Sequence, residues 1–180
     1  HLTFAFITFA YTLWVALDLI YPERQTVFVS LRNTARLALG LLLLQIIYGG
    51  FVAGLNAGLI HNHWPMMSEG KFMHETVLIE QPTLFSNLVE GKSGIQFVHR
   101  TVAYLVVAII LFLFYKSRKF ILVTSQKRGL NILVLFVFIQ FVLGVFTLLL
   151  HVPLWLGLLH QVMAFFLLSA MTFTLHRLSK

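Results

Sequence analysis

The sequence predicts an all-α integral membrane protein with about five transmembrane helices, and three observations predict it. Of 180 residues, 59% are apolar and 11% charged, against roughly 45–50% and 25% in soluble domains. Five apolar runs each approach the roughly 20 helical residues needed to cross ~30 Å of hydrocarbon. The 13 Lys and Arg residues cluster in short segments between those runs, the distribution of topology signals. Mean hydropathy is +0.89, more apolar side-chain surface than a soluble core of this size can enclose.

The same composition excludes other classes. With no cysteine, the chain makes no disulfide, zinc-thiolate site, iron–sulfur cluster or thioether-linked heme. The formal charge of +7 is accounted for by the connections between apolar runs, so nucleic acid is not an expected partner; membrane lipid is. The chain opens on His1 inside an apolar run, without a basic start or a small-residue cleavage site. That opening is not a signal peptide, and it reads as the interior of a longer protein.

The first span runs from about His1 to Ile20 and stops at Tyr21-Pro22. The second covers about Ala35 to Gly58, the third about Gly94 to Tyr115, and the fourth about Gly129 to His151. Pro153 starts the fifth, which ends near His176-Arg177. Helices are required because open strands leave backbone groups unpaired in lipid. Arg24, Arg32 and Arg36 mark the first connection, five Lys and Arg between Lys116 and Arg128 mark the third, and Arg177 and Lys180 mark the tail. Positive-inside counting therefore places those segments, and the C-terminus, in the cytoplasm. The tight turn after His151 carries no Lys or Arg. The loop from Leu59 to Ser93 carries Glu69, Glu75, Glu80 and Glu90. Both belong outside. That loop is long for a bundle connection, so it is either functional and partly helical or an ordinary solvated loop.

Histidine within a span usually faces the bundle interior. His61, His63 and His74 fall in the outer loop, and His151 and His176 at span ends, where each is expected to be solvated or interfacial. His1, His99 and His160 lie instead within the first turns of their helices. Helices three and five both run inward, with His99 about five residues in and His160 about six. At 1.5 Å per residue the two imidazoles stand at nearly equal depth. Neutral imidazole is a standard axial ligand, so facing helices of this kind can clamp a heme iron between them. Ala5, Ala103 and Ala164 each stand one turn beyond a histidine on the same face, leaving room for a porphyrin edge.

Two further patterns accompany the histidines. Gln45-Ile-Ile-Tyr-Gly49 in helix two and Gln140-Phe-Val-Leu-Gly144 in helix four form a weak internal repeat, each preceding a histidine helix. The glycines permit close helix contact, and the glutamines either hydrogen-bond in the core or simply pack. Arg100, beside His99, either pairs with a heme propionate or snorkels to the surface. The alternative to a heme ligand pair for His99 and His160 is a pair of interhelical hydrogen-bonding residues.

At this point the motifs resemble those of heme A synthases. The resemblance rests on Phe51-Val-Ala-Gly-Leu-Asn-Ala-Gly58 with Asn62-His-Trp-Pro-Met66, Gln96-Phe-Val-His99-Arg100 with Ala103-Tyr104, and Leu158-Leu-His160-Gln161. His1-Leu2 with Leu13-Trp14 and Ala16-Leu-Asp18 completes it, in matching order over essentially all 180 residues. The family has eight spans in two four-helix bundles, so the resemblance implies one helix of the first bundle (1–21), a cytoplasmic connection (22–34) and the second bundle (35–180). It implies that His99 and His160 hold a heme b, with Arg100 in the cofactor site, and that His1 belongs to the site of the substrate, heme O. The family carboxylate lies outside this sequence, and so does the partner of His1. Trp64-Pro65 stands where relatives tend to have Phe-Pro, and the absence of cysteine removes any thiol redox step.

The reaction implied by the resemblance oxidises the C8 methyl of heme O to a formyl group, making heme A for terminal oxidases. It implies a heme O synthase as supplier and an electron donor or acceptor, while the sequence leaves the oligomeric state open. The expected location is a bacterial inner membrane, with the mitochondrial inner membrane second. A non-catalytic b-type cytochrome fits the histidines equally well. A cofactor-free scaffold fits the helices, and a transporter lacks the paired intramembrane charges it would need.

Overall fold

The computed structural model describes residues 2–23 and 26–179. His1, expected at the substrate site, lies outside the described residues, as do Arg24 and Lys180 of the topology argument. The chain folds into α1 (Leu2–Ile20), α2 (Val29–Gly54), a 3-10 turn (Ala57–Leu59), α3 (Thr76–Ile79), α4 (Leu84–Val89), α5 (Lys92–Ser117), α6 (Thr124–Leu149) and α7 (Leu154–Ser179). Five of these helices, α1, α2, α5, α6 and α7, are long and apolar enough to cross a membrane. The all-helical membrane fold expected from composition is the fold observed.

The helices of the bundle start earlier than their apolar runs. α2 begins at Val29 and α6 at Thr124, six and five residues ahead of the expected starts at Ala35 and Gly129. Apolar length reports only the hydrocarbon. Main-chain hydrogen bonds continue a helix beyond it, through stretches where Ser30, Lys127 and Arg128 are exposed. Each of the four helices from α2 onward that span is 26 residues long, or about 39 Å. That exceeds the ~30 Å hydrocarbon and fits within the full bilayer.

Contacts between elements set the order around the bundle. α2 packs on α5 and α7, and α6 packs on the same two, so α5 and α7 occupy diagonal corners; α1 lies outside, against α7 and the edge of α2. The buried core, including Leu31, Ala38, Ile110, Leu113, Leu133 and Met171, fills the half of the bundle toward the basic connections. Large apolar residues on the outer helix faces, such as Phe4, Leu37, Phe112, Phe138 and Trp155, are exposed, as helices solvated by lipid require.

The opposite, loop end is capped by polar contacts. Asn87 is buried and donates through Nδ2 to the carbonyls of Leu78, Gln81 and Thr83, while its Oδ1 accepts from the Gln81 amide. Glu80 accepts the first two amides of α5, Lys92 and Ser93, at 2.9 Å each, satisfying donors that a helix start leaves free. The α6–α7 turn places His151 and Val152 at φ 59° and 55°, a costly conformation for a branched side chain. Asn62 steadies this turn by donating to Leu148 O and Gly58 O, both at 2.8 Å. The long loop is thus ordered and partly helical.

Because the chain has no cysteine, its orientation can be read with single introduced thiols. A cysteine in place of Glu69 is expected to react with an impermeant maleimide added to intact cells, and one in place of Lys127 only after permeabilisation. The reverse pattern would invert the topology.

Candidate functional site

His99 lies seven residues beyond the start of α5 and His160 six beyond the start of α7. The two helices run in the same direction, so the imidazoles differ in depth by about one residue, ~1.5 Å. Since α5 and α7 are diagonal, the histidines approach from opposite sides of the bundle axis. They stand where the apolar core gives out toward the loop end, and both are half-buried. Ala103 and Ala164, one turn further in, are half-buried as well.

Each histidine is received by the neighbouring helix through the same pair of residues. On α2, Gln45 Nε2 lies 3.1 Å from His99 Nδ1 and 3.2 Å from its Nε2. On α6, Gln140 Nε2 lies 3.2 Å from His160 Nε2. One turn further along stand Gly49 and Gly144. A Cβ at Gly49 would sit 3.3 Å from His99 Cε1, and one at Gly144 would sit 2.9 Å from His160 Cε1. The internal repeat that composition left open between packing and hydrogen bonding is therefore a niche for an imidazole, built twice. The glutamine holds the ring edge and the glycine vacates the space for it. The signal was present in the sequence as the identical i, i+4 spacing, but its target was not.

The residues fit a heme on this geometry. His160 Nδ1, Gln45 Oε1 and Gln140 Oε1 are buried atoms without a hydrogen-bond partner, and each such atom costs about 1–3 kcal/mol. Together with the space that the two glycines clear, they make a place able to take an additional group. With its amide turned over, Gln45 can accept the Nδ1–H of His99 and leave Nε2 for a metal, whereas Gln140 meets His160 at Nε2 and leaves Nδ1 open; either contact orients the imidazole. No carboxylate or thiol stands beside them, and among the described residues no group of three or more His, Cys, Asp and Glu side chains could hold a bare metal ion. Two imidazoles alone match a macrocycle that already supplies the equatorial donors. A concavity of about 490 Å³ between α5 and α6, lined by Val107, Leu111, Phe138 and Phe141 among others, is apolar, lies further along the bundle and includes neither histidine.

Arg100 fastens the loop over this site. Its Nη2 donates to His63 O (2.6 Å), Met66 O (2.9 Å) and Pro65 O (3.2 Å), and Nη1 to His61 O (3.4 Å). It is half-buried, so the freely snorkelling reading gives way to a structural one. Gln96, three residues before His99, adds a bond to Ala57 O at 3.0 Å. His61 and His74, expected to be solvated, stack at 4.6 Å. A hydroxyl pair joins them: Ser93 Oγ is 3.1 Å from His61 Nε2, and Thr76 Oγ1 is 2.7 Å from His74 Nδ1 and donates to Ser93 Oγ at 2.8 Å. His176, also expected at an interface, is fully buried against Asp18, because the span end it occupies is covered by α1.

Burial pushes the His61 imidazole below its ordinary 6.5, and the facing His74 and Arg100 push it the same way. For Glu80, burial acts upward, but the Ser93 and Lys92 amides outweigh it and hold the carboxyl below its ordinary value. Both depressed groups favour the loop above their ordinary pKa and lose that contribution as pH falls toward the folded values. Amide exchange in residues 61–93, corrected for intrinsic rates, is expected to accelerate as pH drops below about 6.5, and His61→Gln to remove the first part of that response. In the bundle, Gly144→Ala forces His160 aside, at a cost of about 1–3 kcal/mol. Heme content per helical protein is expected to fall further for Gly144→Ala than for Gly49→Ala, whose contact is looser.

With this geometry in view, comparison with known proteins is specific. Residues 1–172 match the COX15-CtaA family, described as a cytochrome oxidase assembly protein. The chain is 75% identical over its whole length to a heme A synthase of Flavobacterium johnsoniae, covering 53% of that protein. It is 66% identical to the heme A synthase of Flavobacterium psychrophilum, again covering 53%, and 37% identical to that of Wolbachia pipientis, covering 50%. The chain thus spans about half the length of the curated relatives it matches. No solved structure matches it. A family match over nearly the whole chain and identities of this size leave one conclusion: the chain belongs to the heme A synthase family of cytochrome oxidase assembly proteins.

Proposed function

We propose that this chain supplies the heme b-binding half of a heme A synthase, an enzyme that oxidises the C8 methyl of heme O to a formyl group by successive hydroxylations and loss of water. The observation that carries the reading is the doubled niche: two histidines on diagonal helices, each received by a glutamine and a glycine of its neighbour. His99 and His160 would be the axial ligands, with Gln45 and Gln140 orienting them. A heme held there would supply one-electron redox chemistry.

The side chains bind and orient rather than react. Arg100 would supply a cation one residue from His99, able to pair with a heme propionate, while its loop contacts cover the site. His1 would contribute to the heme O site, which the family resemblance assigns to the first bundle. Heme O would arrive from a heme O synthase, and electrons would leave to an acceptor or arrive from a donor in the same bacterial cytoplasmic membrane, with the C-terminus on the cytoplasmic side.

The test is a reduced-minus-oxidised visible spectrum of the protein purified in mild detergent. Sharp low-spin bands are expected, and His99→Ala or His160→Ala is expected to abolish them. Gln45→Leu or Gln140→Leu should weaken heme retention by about 10–100-fold. A folded, helical protein that stays colourless after heme addition would remove the heme b reading. Bands without heme O turnover in the full-length protein would leave a membrane b-type cytochrome.

A further inference from the structure

The most buried charged side chains of the molecule lie at the end away from the histidine niche. His176 is 0% exposed and Arg177 2%, although both were expected to meet water. His176 Nε2 is 2.8 Å from Asp18 Oδ1, and Asp18 is the single acidic residue in the five long helices. The Trp14 indole meets the His176 ring edge-on at 5.0 Å. Arg177 stacks its guanidinium 4.5 Å from the Tyr21 ring centroid and donates from Nε to Ser125 Oγ at 3.3 Å. Its carbonyl accepts from Gln126 Nε2 at 2.9 Å. Polar contacts from α1 and α6 therefore converge on the last turns of α7.

Ring contacts run along the same two helices. Phe165 lies 6.5 Å from Phe6 and 4.1 Å from Phe9, and Tyr21 lies 6.0 Å from Phe173. Contacts between apolar rings in lipid are close in energy to contacts between rings and lipid tails, so they hold helices together without fixing how far one slides along the other. A directional hydrogen bond does fix it. The two helices run in the same direction, and the pairs Phe6–Phe165 and Asp18–His176 keep the same sequence offset to within one residue. His160 lies sixteen residues, about 24 Å, from His176. Whatever sets the axial position of Asp18 on His176 also sets which turn of α1 stands beside His160.

We propose that Asp18 and His176 are positioning residues that lock the axial register of α1 against α7, holding the outer turns of α1 level with the His160 turn. On the proposed heme A synthase reading, α1 belongs to the substrate bundle, and this lock fixes the height of the substrate heme relative to heme b. Apolar packing then supplies adhesion, and the polar pair of buried His176 and half-buried Asp18 supplies the register.

The absence of native cysteine makes the test direct. In the full-length protein in membranes, the Phe9→Cys/Phe165→Cys pair is oxidised to a disulfide, with Leu13→Cys/Phe165→Cys as the pair one turn out of register. Asp18→Leu is expected to slow the first cross-link by about tenfold or more and to speed the second. Asp18→Asn, which keeps Oδ1 and can donate as well, is expected to restore the parental pattern. Helical content and the visible bands of the C-terminal heme are followed in the same samples and should not change. Heme O turnover should fall with the loss of register. Cross-linking unchanged by both Asp18→Leu and His176→Leu would overturn the proposal, as would loss of the first cross-link in Asp18→Asn to the same degree as in Asp18→Leu. Shifted register in a protein that never turns over heme O would uphold the lock and sink the enzymatic reading.

Discussion

Hydrocarbon offers no hydrogen-bond partner, so a polar side chain carried into a membrane helix has to find one within the protein. That constraint sorts the polar residues of this chain into three levels. At the loop end, Asn87, Glu80, Gln96 and Arg100 consume the free amides and carbonyls of helix starts and loop. At the histidine level, Gln45 and Gln140 each serve one imidazole. At the basic end, Asp18, Ser125 and Gln126 serve His176 and Arg177. Between the last two levels the bundle is filled by aliphatic side chains, which give it cohesion but no chemistry.

The histidine level departs from full satisfaction, which is what the proposed heme site draws on. At the inner cluster, hydrogen bonds from His176 to Asp18 and from Arg177 to Ser125 tie α7 to its neighbours. The niche instead leaves one imidazole nitrogen and two amide oxygens buried without partners, and removes Cβ atoms at two positions where they would collide with the rings. Unspent hydrogen-bonding capacity together with cleared space on diagonal helices is a costly arrangement for a scaffold. It is a sensible one for a prosthetic group whose iron takes a ligand from each side.

The sequence made the spans, their order and the depth of His99 and His160 legible, because those follow from residue periodicity and a fixed rise per residue. Helix starts were misplaced by about a turn and a half at Val29 and Thr124, since hydropathy senses lipid and not the helix that continues beyond it. The roles of Gln45, Gly49, Gln140 and Gly144 were only half legible: their spacing repeats visibly, but which partner they face depends on the bundle order. His176 was misjudged as interfacial because burial by α1 depends on a contact between distant parts of the chain. The stacked His61 and His74 have the same origin, being brought together by the return of the loop onto Ser93.

The way Arg100 holds the loop bears on how this surface can drift. Every acceptor of its guanidinium is a main-chain oxygen, at residues 61, 63, 65 and 66. Gln96 likewise takes Ala57 O. The fastening is thus blind to the side chains it holds, and a lineage can exchange them without releasing the loop. Trp64 is one side chain that the fastening does not read. Its indole packs 6.3 Å from the Phe141 ring, while the oxygens on either side stay with Arg100. The loop can therefore change what it displays to the outside, and to whatever meets the protein there, while its backbone path over the bundle stays the same.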